Sequence, residues 1–256
     1  MVVGTRYGKV EGIEKDGALQ FPGVPFAAAP VGTRRWCPPT PPEPWTGVRA
    51  GDSFGPIAPQ EPAEAHAPAA AIALSPGPSE QPPISEADCL KLNVFTPGIA
   101  GKRRPVMVWI HGGAFYGGSG RDPSYDGTSF AQRGVVLVTI NYRLGALGFL
   151  YLPESTAGSA NCGLLDQVAA LRWVRDNIES FGGDPANVTV FGESAGASSI
   201  GILLGMPVAS GLFHGAILQS GAGVHLNTPE RATEVTERLT SNLGGPGALR
   251  QVPWER

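Results

Sequence analysis

Five short apolar runs, rich in β-branched residues, place the strongest limit on how this chain can fold. Each has the length of a strand, and each has the composition of strands that are covered on both faces. A sheet buried in this way needs helices on either side of it. The five runs are residues 90–95, 106–111, 135–140, 187–192 and 215–220.

Helical patterns separate the last three runs. Between residues 164 and 178, apolar side chains recur at helical spacing, while charged residues such as Asp166 and Arg172 fall on the other side. A second helix is predicted directly after Ser194, and a third over residues 229–243. Strands that alternate with helices predict an α/β fold with a mainly parallel central sheet and flanking helices.

The rest of the chain divides into two further stretches of the same domain. Residues 1–52 contain short β-like pieces separated by glycine and aspartate, which predicts a small antiparallel region. Residues 53–88 are rich in proline and alanine and predict a long loop excursion. Residues 89–256 then form the predicted parallel sheet core.

The composition excludes several classes of protein. The chain has 256 residues, is 42% hydrophobic and carries a net charge of −3. With 19 Lys and Arg against 22 Asp and Glu, it lacks the basic surface that a nucleic-acid partner requires. No apolar run approaches the ~18 residues of a membrane span, and the N-terminus does not resemble a signal peptide. We therefore expect a cytoplasmic protein with no nucleic-acid and no membrane partner.

The cysteine pattern gives no support for a metal site or a disulfide framework. The three cysteines are Cys37, Cys89 and Cys162, an odd number at wide spacing, without a paired Cys-x-x-Cys motif. We expect buried or unreactive thiols, no metal and no organic cofactor.

The segment "VTVFGESAGASS" crowds small residues around Ser194. The pattern Gly-x-Ser-x-Gly can arise by chance in a chain rich in glycine and serine, but here it lies between a predicted strand and a predicted helix. In that setting, side chains at Gly192 and Gly196 would collide with the neighbouring strand and helix. The segment therefore predicts a nucleophile elbow, with the serine at a helix N-terminus that favours developing negative charge.

A second motif, "WIHGGAFYGGSG", follows the second apolar run. Its His-Gly-Gly sequence is typical of a loop whose bare N–H groups point at an oxyanion. The N–H groups of Gly112 and Gly113, together with that of Ala195, would supply three donors. A flexible glycine-rich turn is the alternative, but the two motifs in this order within an α/β chain favour acyl transfer by a serine.

With these motifs in place, the chain resembles the type-B carboxylesterase family of the α/β-hydrolase fold, in which bacterial p-nitrobenzyl esterases and the cholinesterases are grouped. The resemblance extends through nearly the whole chain and rests on many motifs in the same order. They include "FPGVPFAAAPVGTRRW", "EADCLKLNVF", "VMVWIHGGAF", "VTINYRLGALGFL", "NCGLLDQVAALRWVRDNIESFGGDPANVTVFGESAG" and "GLFHGAILQSG".

The resemblance implies a role for each motif residue. Ser194 is implied as the nucleophile, the N–H groups of Gly112, Gly113 and Ala195 as the oxyanion hole, and small-molecule esters of carboxylic acids as the substrates. Secreted members of the family carry a disulfide from the position of Cys89 to a cysteine just upstream. This chain has no such partner for Cys89, a departure that favours an intracellular member.

A serine nucleophile also needs a base and an acid that orients the base. In this fold the chain order is serine, then Asp or Glu, then histidine. The family places both partners far downstream, whereas only 62 residues follow Ser194 here. We therefore expect the chain to represent the N-terminal portion of one α/β-hydrolase domain, truncated before the C-terminal strands, with the acid and base beyond Arg256 or on another polypeptide.

The four histidines differ in their suitability as the base. His66 lies in the proline- and alanine-rich loop, and His111 is expected to support the shape of the oxyanion loop. His214 precedes its strand and so lies ~20 Å from the serine end of the sheet. His225 alone follows that strand on the side of Ser194.

The sequence thus leaves two functions open. The first is a carboxylic ester hydrolase that acts through a serine nucleophile and an acyl-enzyme. The alternative is a non-catalytic fragment or binding module of the same fold, inactive because the acid and histidine of the triad are absent. In either case, the last strand would leave an exposed sheet edge, through which we expect self-association.

Overall fold

Within the described residues, nine strands form one sheet. The computed structural model describes residues 1–61, 82–101, 103–152, 160–222, 226–249 and 251–254. The strands are β1 (Val2–Gly4), β2 (Lys9–Lys15), β3 (Ala18–Pro25), β4 (Val48–Gly51), β5 (Lys91–Thr96), β6 (Arg104–Ile110), β7 (Val136–Ile140), β8 (Gly183–Glu193) and β9 (Gly215–Gln219). Their order is β1-β2-β3-β5-β7-β6-β8-β9, and β4 pairs with β2.

Helices connect the strands and flank the sheet, and each of the five predicted apolar runs is a strand. The predicted helix at residues 229–243 is also confirmed. It begins after Thr228, whose hydroxyl accepts a hydrogen bond from the Arg231 N–H. The helices are α1 (Thr128–Gln132), α2 (Gly145–Phe149), α3 (Cys162–Asn177), α4 (Ala195–Gly205) and α5 (Pro229–Asn242).

The sheet is mixed, and its parallel part is narrower than the sequence predicts. Strands β7, β6, β8 and β9 are parallel, but β5 runs antiparallel to β7 and to β3. The prediction that residues 90–95 join the parallel core is therefore wrong. Only residues 97–103 connect β5 to β6, too few for the crossover of a dozen or more residues that parallel strands require.

In the region at residues 1–52, β1, β2 and β3 are antiparallel as predicted, but β4 pairs with β2 in parallel. The region is continuous with the core, because β3 pairs directly with β5. In the loop at residues 53–88, the described parts are residues 53–61 and 82–88. Ile57 and Ile84 form a parallel bridge between these two parts. The middle of this predicted excursion lies outside the described residues.

The main core lies between the sheet and α3. Val108, Val138 and Val190 come from three adjacent strands and are fully buried in one cluster with Val168 and other apolar residues of α3. Full burial of a valine side chain contributes about 1.5–3 kcal/mol to folding. Several such side chains hold the strands against α3, and this packing also fixes where the strands end.

The last described segment packs against the start of the chain. Leu249 is buried in a small cluster with Trp36 and Leu150. The Arg35 guanidinium is paired with Glu86 and also donates a hydrogen bond of 2.7 Å to the Val252 carbonyl. Residues more than two hundred positions apart in the sequence are therefore neighbours in the fold.

Among the described residues, β9 pairs with β8 only, so its outer edge is open. Ile217 at the middle of this strand is 44% exposed, beside Phe191 of β8. The strand carries no charge and no proline that would protect the edge from pairing with another chain. Within the described residues, the structure contains no helix with the length and hydropathy needed to traverse a bilayer.

We predict that the isolated chain associates with itself through this edge. Substitution of Ile217→Lys places a charge on the strand and should shift the chain toward the monomer, as measured by size-exclusion chromatography with light scattering. Val235→Lys is the matched control, because Val235 is 48% exposed and lies on helix α5 rather than on a strand. A monomeric wild-type chain, or equal effects of the two substitutions, would contradict this prediction.

Candidate active site

Ser194 lies between the end of β8 and the start of α4. Its backbone has φ 54° and ψ −118°, a conformation that residues with a side chain rarely adopt. Its N–H donates a hydrogen bond of 2.9 Å to the Gln219 carbonyl at the end of β9. The strained turn is therefore fixed by the neighbouring strand and presents the serine at a helix N-terminus.

Two glycines allow the turn to form. A Cβ atom built on Gly192 would lie 2.6 Å from the Ile110 carbonyl oxygen, and one on Gly196 would lie 2.0 Å from the same atom. Both distances are far below a van der Waals contact. Helix α4 can therefore approach the end of β6 only where both residues lack a side chain.

The His-Gly-Gly loop lies beside the serine. A Cβ atom built on Gly112 would lie 3.3 Å from Ser194 Cβ, so the two residues are in direct contact. Gly113 has φ 104°, and its carbonyl accepts the N–H groups of Tyr116 and Gly117, which closes the loop. The structure thus brings together two motifs that are separated by about eighty residues in the sequence.

Within the described residues, several backbone N–H groups at this point donate no hydrogen bond, and the three predicted donors and that of Ala114 are among them. Those of Gly112, Gly113 and Ala195 have no hydrogen-bond acceptor within the part of the chain that the structure describes. The Ser194 carbonyl accepts the Ser198 N–H at 2.9 Å. Because the N–H of a trans peptide points away from its carbonyl, the Ala195 N–H points out of the helix. Free donors next to a serine hydroxyl can stabilise an oxyanion that forms there.

His111 is buried beneath the loop. Its ring is 1% exposed and stacks on Tyr142, with 4.4 Å between the ring centroids. Nδ1 lies 2.8 Å from the Gly112 carbonyl oxygen. A carbonyl can only accept, so Nδ1 carries the proton and donates. Burial lowers the pKa of His111 to about 4, so the ring is neutral near pH 7.

Among the described residues, no other histidine is placed to act as the base for Ser194. His214 lies at the start of β9, where its Nδ1 accepts the Val188 N–H, at the end of the sheet away from Ser194. His66 and His225 lie outside the described residues. Within the described ranges, no hydrogen bond links the Ser194 hydroxyl to a basic side chain. Those ranges also contain no cluster of three potential metal ligands.

Polar side chains that no sequence motif marks support the loop from below. At Gly120, where the loop returns to the sheet, the N–H donates to Asn141 Oδ1 at 2.8 Å. The Gly120 carbonyl accepts the Thr139 hydroxyl at 2.6 Å and the Asn93 amide at 3.2 Å. The signal was present, because Asn93 and Thr139 are polar residues within predicted buried strands and must find partners.

The predicted placement of Asp166 on the charged side of its helix is wrong. Helical spacing suggests that Asp166 faces the side of α3 away from its apolar residues, but its side chain is fully buried. It accepts two hydrogen bonds from the Arg143 guanidinium, at 2.7 and 2.8 Å, and a third from the Arg143 N–H. The pair joins the segment after β7 to α3. Such a burial is tolerated because a bidentate partner satisfies the carboxylate.

Comparison with known proteins supports the assignment of the fold. A model of the carboxylesterase family matches residues 1–251. The chain belongs to this family. The predicted α/β-hydrolase fold is confirmed by solved structures of related esterases. One PNB esterase superposes with a TM-score of 0.90 at 48% identity, covering 100% of this chain and 52% of that chain. A carboxylesterase of Geobacillus stearothermophilus, EST55, gives a TM-score of 0.86 at 49% identity.

Curated relatives of this carboxylesterase-family chain include proteins with named hydrolytic activities. The para-nitrobenzyl esterase of Bacillus subtilis (strain 168) is 50% identical over 245 residues, which cover 95% of this chain and 48% of that protein. The phenmedipham hydrolase of Pseudarthrobacter oxydans is 47% identical over 256 residues, or 98% of this chain and 50% of that protein. The chain spans about half the length of these relatives.

We predict that Gly196→Ala strongly destabilises the turn around Ser194 and so lowers the free energy of unfolding. Its Cβ would meet the Ile110 carbonyl at 2.0 Å, so strand or helix must move, at a cost of about 3 kcal/mol or more. Gly205→Ala is the control, because a Cβ at the end of the same helix meets nothing within 4 Å. Chemical denaturation measures the loss of stability in both variants. Equal unfolding midpoints for the two would show that the close contact between α4 and β6 does not require glycine at position 196.

Proposed function

We propose that this chain supplies the nucleophile and the oxyanion hole of an enzyme that hydrolyses carboxylic esters. The observation that carries the proposal is the strained backbone of Ser194 at a helix N-terminus, next to the N–H groups of Gly112, Gly113 and Ala195, which have no acceptor among the described residues. The names of its relatives, para-nitrobenzyl esterase and phenmedipham hydrolase, agree with this chemistry.

The proposed reaction begins when the Ser194 hydroxyl oxygen attacks the carbonyl carbon of the ester, and a base takes the hydroxyl proton. The carbonyl oxygen becomes an oxyanion, which accepts hydrogen bonds from the N–H groups of Gly112, Gly113 and Ala195. The tetrahedral intermediate expels the alcohol, which takes up a proton, and leaves an acyl group on Ser194. Water then attacks the acyl-enzyme, releases the carboxylic acid and restores the serine.

The base and its orienting acid come, in this proposal, from outside the described residues. His111 is excluded because its Nδ1–H is engaged with Gly112 and burial lowers its pKa to about 4. His214 is excluded by its place at the opposite end of β9. His225, which follows β9 in the sequence and lies outside the described residues, is one candidate. The second candidate is a residue in a segment or chain that corresponds to the other half of the relatives.

The test is hydrolysis of p-nitrophenyl acetate by the purified chain, together with labelling by a fluorophosphonate that is read by intact mass. We expect a serine adduct in the wild-type chain, its loss in Ser194→Ala and its retention in Ser210→Ala. Ser210 is an exposed serine after α4, which makes it a matched control. Equal hydrolysis and no adduct in all three proteins would instead favour the non-catalytic alternative for the chain on its own.

We further propose that the chain works in the cytoplasm. The support is its cysteine chemistry, since Cys37 and Cys89 are free thiols, which suit a reducing compartment. Fractionation of cells that produce the native gene product, followed by immunoblotting, tests this location. Recovery in the periplasmic or extracellular fraction would refute it.

A further inference from the structure

Cys37 and Cys162 meet in the fold although they are 125 positions apart in the sequence. The Cys162 thiol donates a hydrogen bond of 3.5 Å to the Cys37 carbonyl oxygen. The sulfur of one cysteine therefore lies against the backbone of the other. Disulfides join cysteines whose Cα atoms lie about 4.4–6.8 Å apart, a separation that this contact permits.

Helix α2 holds the segments of both cysteines. The Trp36 indole N–H donates a hydrogen bond of 2.8 Å to the Ala146 carbonyl of this helix. At the start of α3, a Cβ atom built on Gly163 would lie 2.5 Å from the Phe149 ring, so α3 packs directly on α2. Trp36 and Gly163 adjoin the two cysteines in the sequence. One helix therefore keeps the two cysteines next to each other.

The two thiols differ in their access to solvent. Cys37 is half-buried, and its thiol donates a hydrogen bond of 3.3 Å to the Thr33 carbonyl in an exposed turn. Cys162 is buried. A small oxidant dissolved in water therefore reaches the Cys37 sulfur first, with Cys162 directly behind it. An accessible thiol beside a second cysteine is the arrangement of a redox-sensitive pair.

The charges around the buried thiols agree with this order of oxidation. Burial raises the pKa of Cys162 to about 11, so it stays a thiol near pH 7, and the positive charge of Arg143 partly offsets this rise. Burial raises the pKa of Cys89 further, to about 12. The Cys89 thiol donates to the Glu86 carbonyl at 3.6 Å. Cys89 is therefore the natural comparison for the other two.

We propose that Cys37 and Cys162 form an intramolecular disulfide when the chain encounters hydrogen peroxide. The Cys37 sulfur attacks the peroxide, which breaks the O–O bond, forms a sulfenic acid and releases water. The Cys162 sulfur then attacks the Cys37 sulfur. The S–S bond forms, the S–O bond breaks, and the hydroxyl group leaves as water with the Cys162 proton. Two thiols lose two electrons, and one peroxide is reduced to two waters.

The disulfide would join the segment after residues 32–34 to the first turn of α3. In a reducing compartment such a bond is transient, so it would respond to peroxide and be reversed by cellular thiols. The inference does not rest on the proposed ester hydrolysis, because no step in it involves Ser194.

The first test treats the reduced full chain with hydrogen peroxide, blocks the remaining thiols by alkylation and maps the peptides by mass spectrometry. We expect a monomer that has lost two hydrogen atoms, with the Cys37 peptide linked to the Cys162 peptide. A link from Cys37 to Cys89, a disulfide between two chains, or a Cys162 that is still alkylated after Cys37 is oxidised would overturn the proposal. This test needs no variant.

The second test assigns the order of the two steps with dimedone, which labels sulfenic acids. Cys162→Ser keeps a hydroxyl donor for the Cys37 carbonyl but has no second sulfur, so dimedone should label Cys37 in peroxide. Cys37→Ser should show no label at Cys162. Labelling at Cys162 in Cys37→Ser, or no label on Cys37 in Cys162→Ser, would overturn the assigned order.

The third test measures thermal unfolding by circular dichroism before and after peroxide. Closing a loop between residues so far apart restricts the unfolded chain, so oxidation should raise the Tm by roughly 5–15 °C. Cys89→Ser is the matched control and should keep this rise, whereas Cys37→Ser should lose it. A cross-linked chain with an unchanged Tm, or an equal rise in Cys37→Ser, would refute the stabilising role of the bond.

Discussion

The close approach of helix α4 to the end of β6 is the contact on which the site depends. A side chain at Gly196 would overlap the Ile110 carbonyl, so the helix reaches this position only because the residue is glycine. The approach forces the sharp turn that gives Ser194 its positive φ. It also brings the start of the helix against the loop that follows β6. The serine and the oxyanion donors are therefore neighbours because of one backbone contact.

Most of the fold could be predicted from the sequence, because its signals are local. The five apolar runs became strands, and the small residues around Ser194 mark a turn that few other sequences can make. The direction of β5 could not be seen in residues 90–95, since composition reports how deeply a strand is buried and not which way it runs. The direction of β5 is indicated instead by the short connection from β5 to β6.

The site was predicted less completely than the fold. The glycines and the serine occur in short motifs with a steric reason, so they are visible in the sequence. Tyr142 and Asp166 contact His111 and Arg143, which lie 31 and 23 positions away. These contacts depend on the register of neighbouring strands and helices. A period of 3.6 residues places Asp166 on the face of the helix away from the apolar residues. The period does not show that Arg143 lies against that face and pairs with Asp166.

The pairing of Arg35 with Glu86 and with the Val252 carbonyl has a consequence for how the chain folds during synthesis. Arg35 leaves the ribosome early, whereas its acceptor at Val252 is made 217 residues later. Synthesis at about 5–20 residues per second separates the two by at least ten seconds. During that interval the Arg35 segment can use Glu86 but not the final partner. The small cluster around Trp36 and Leu249 can therefore close only after the segments of the elbow and the loop have been synthesised.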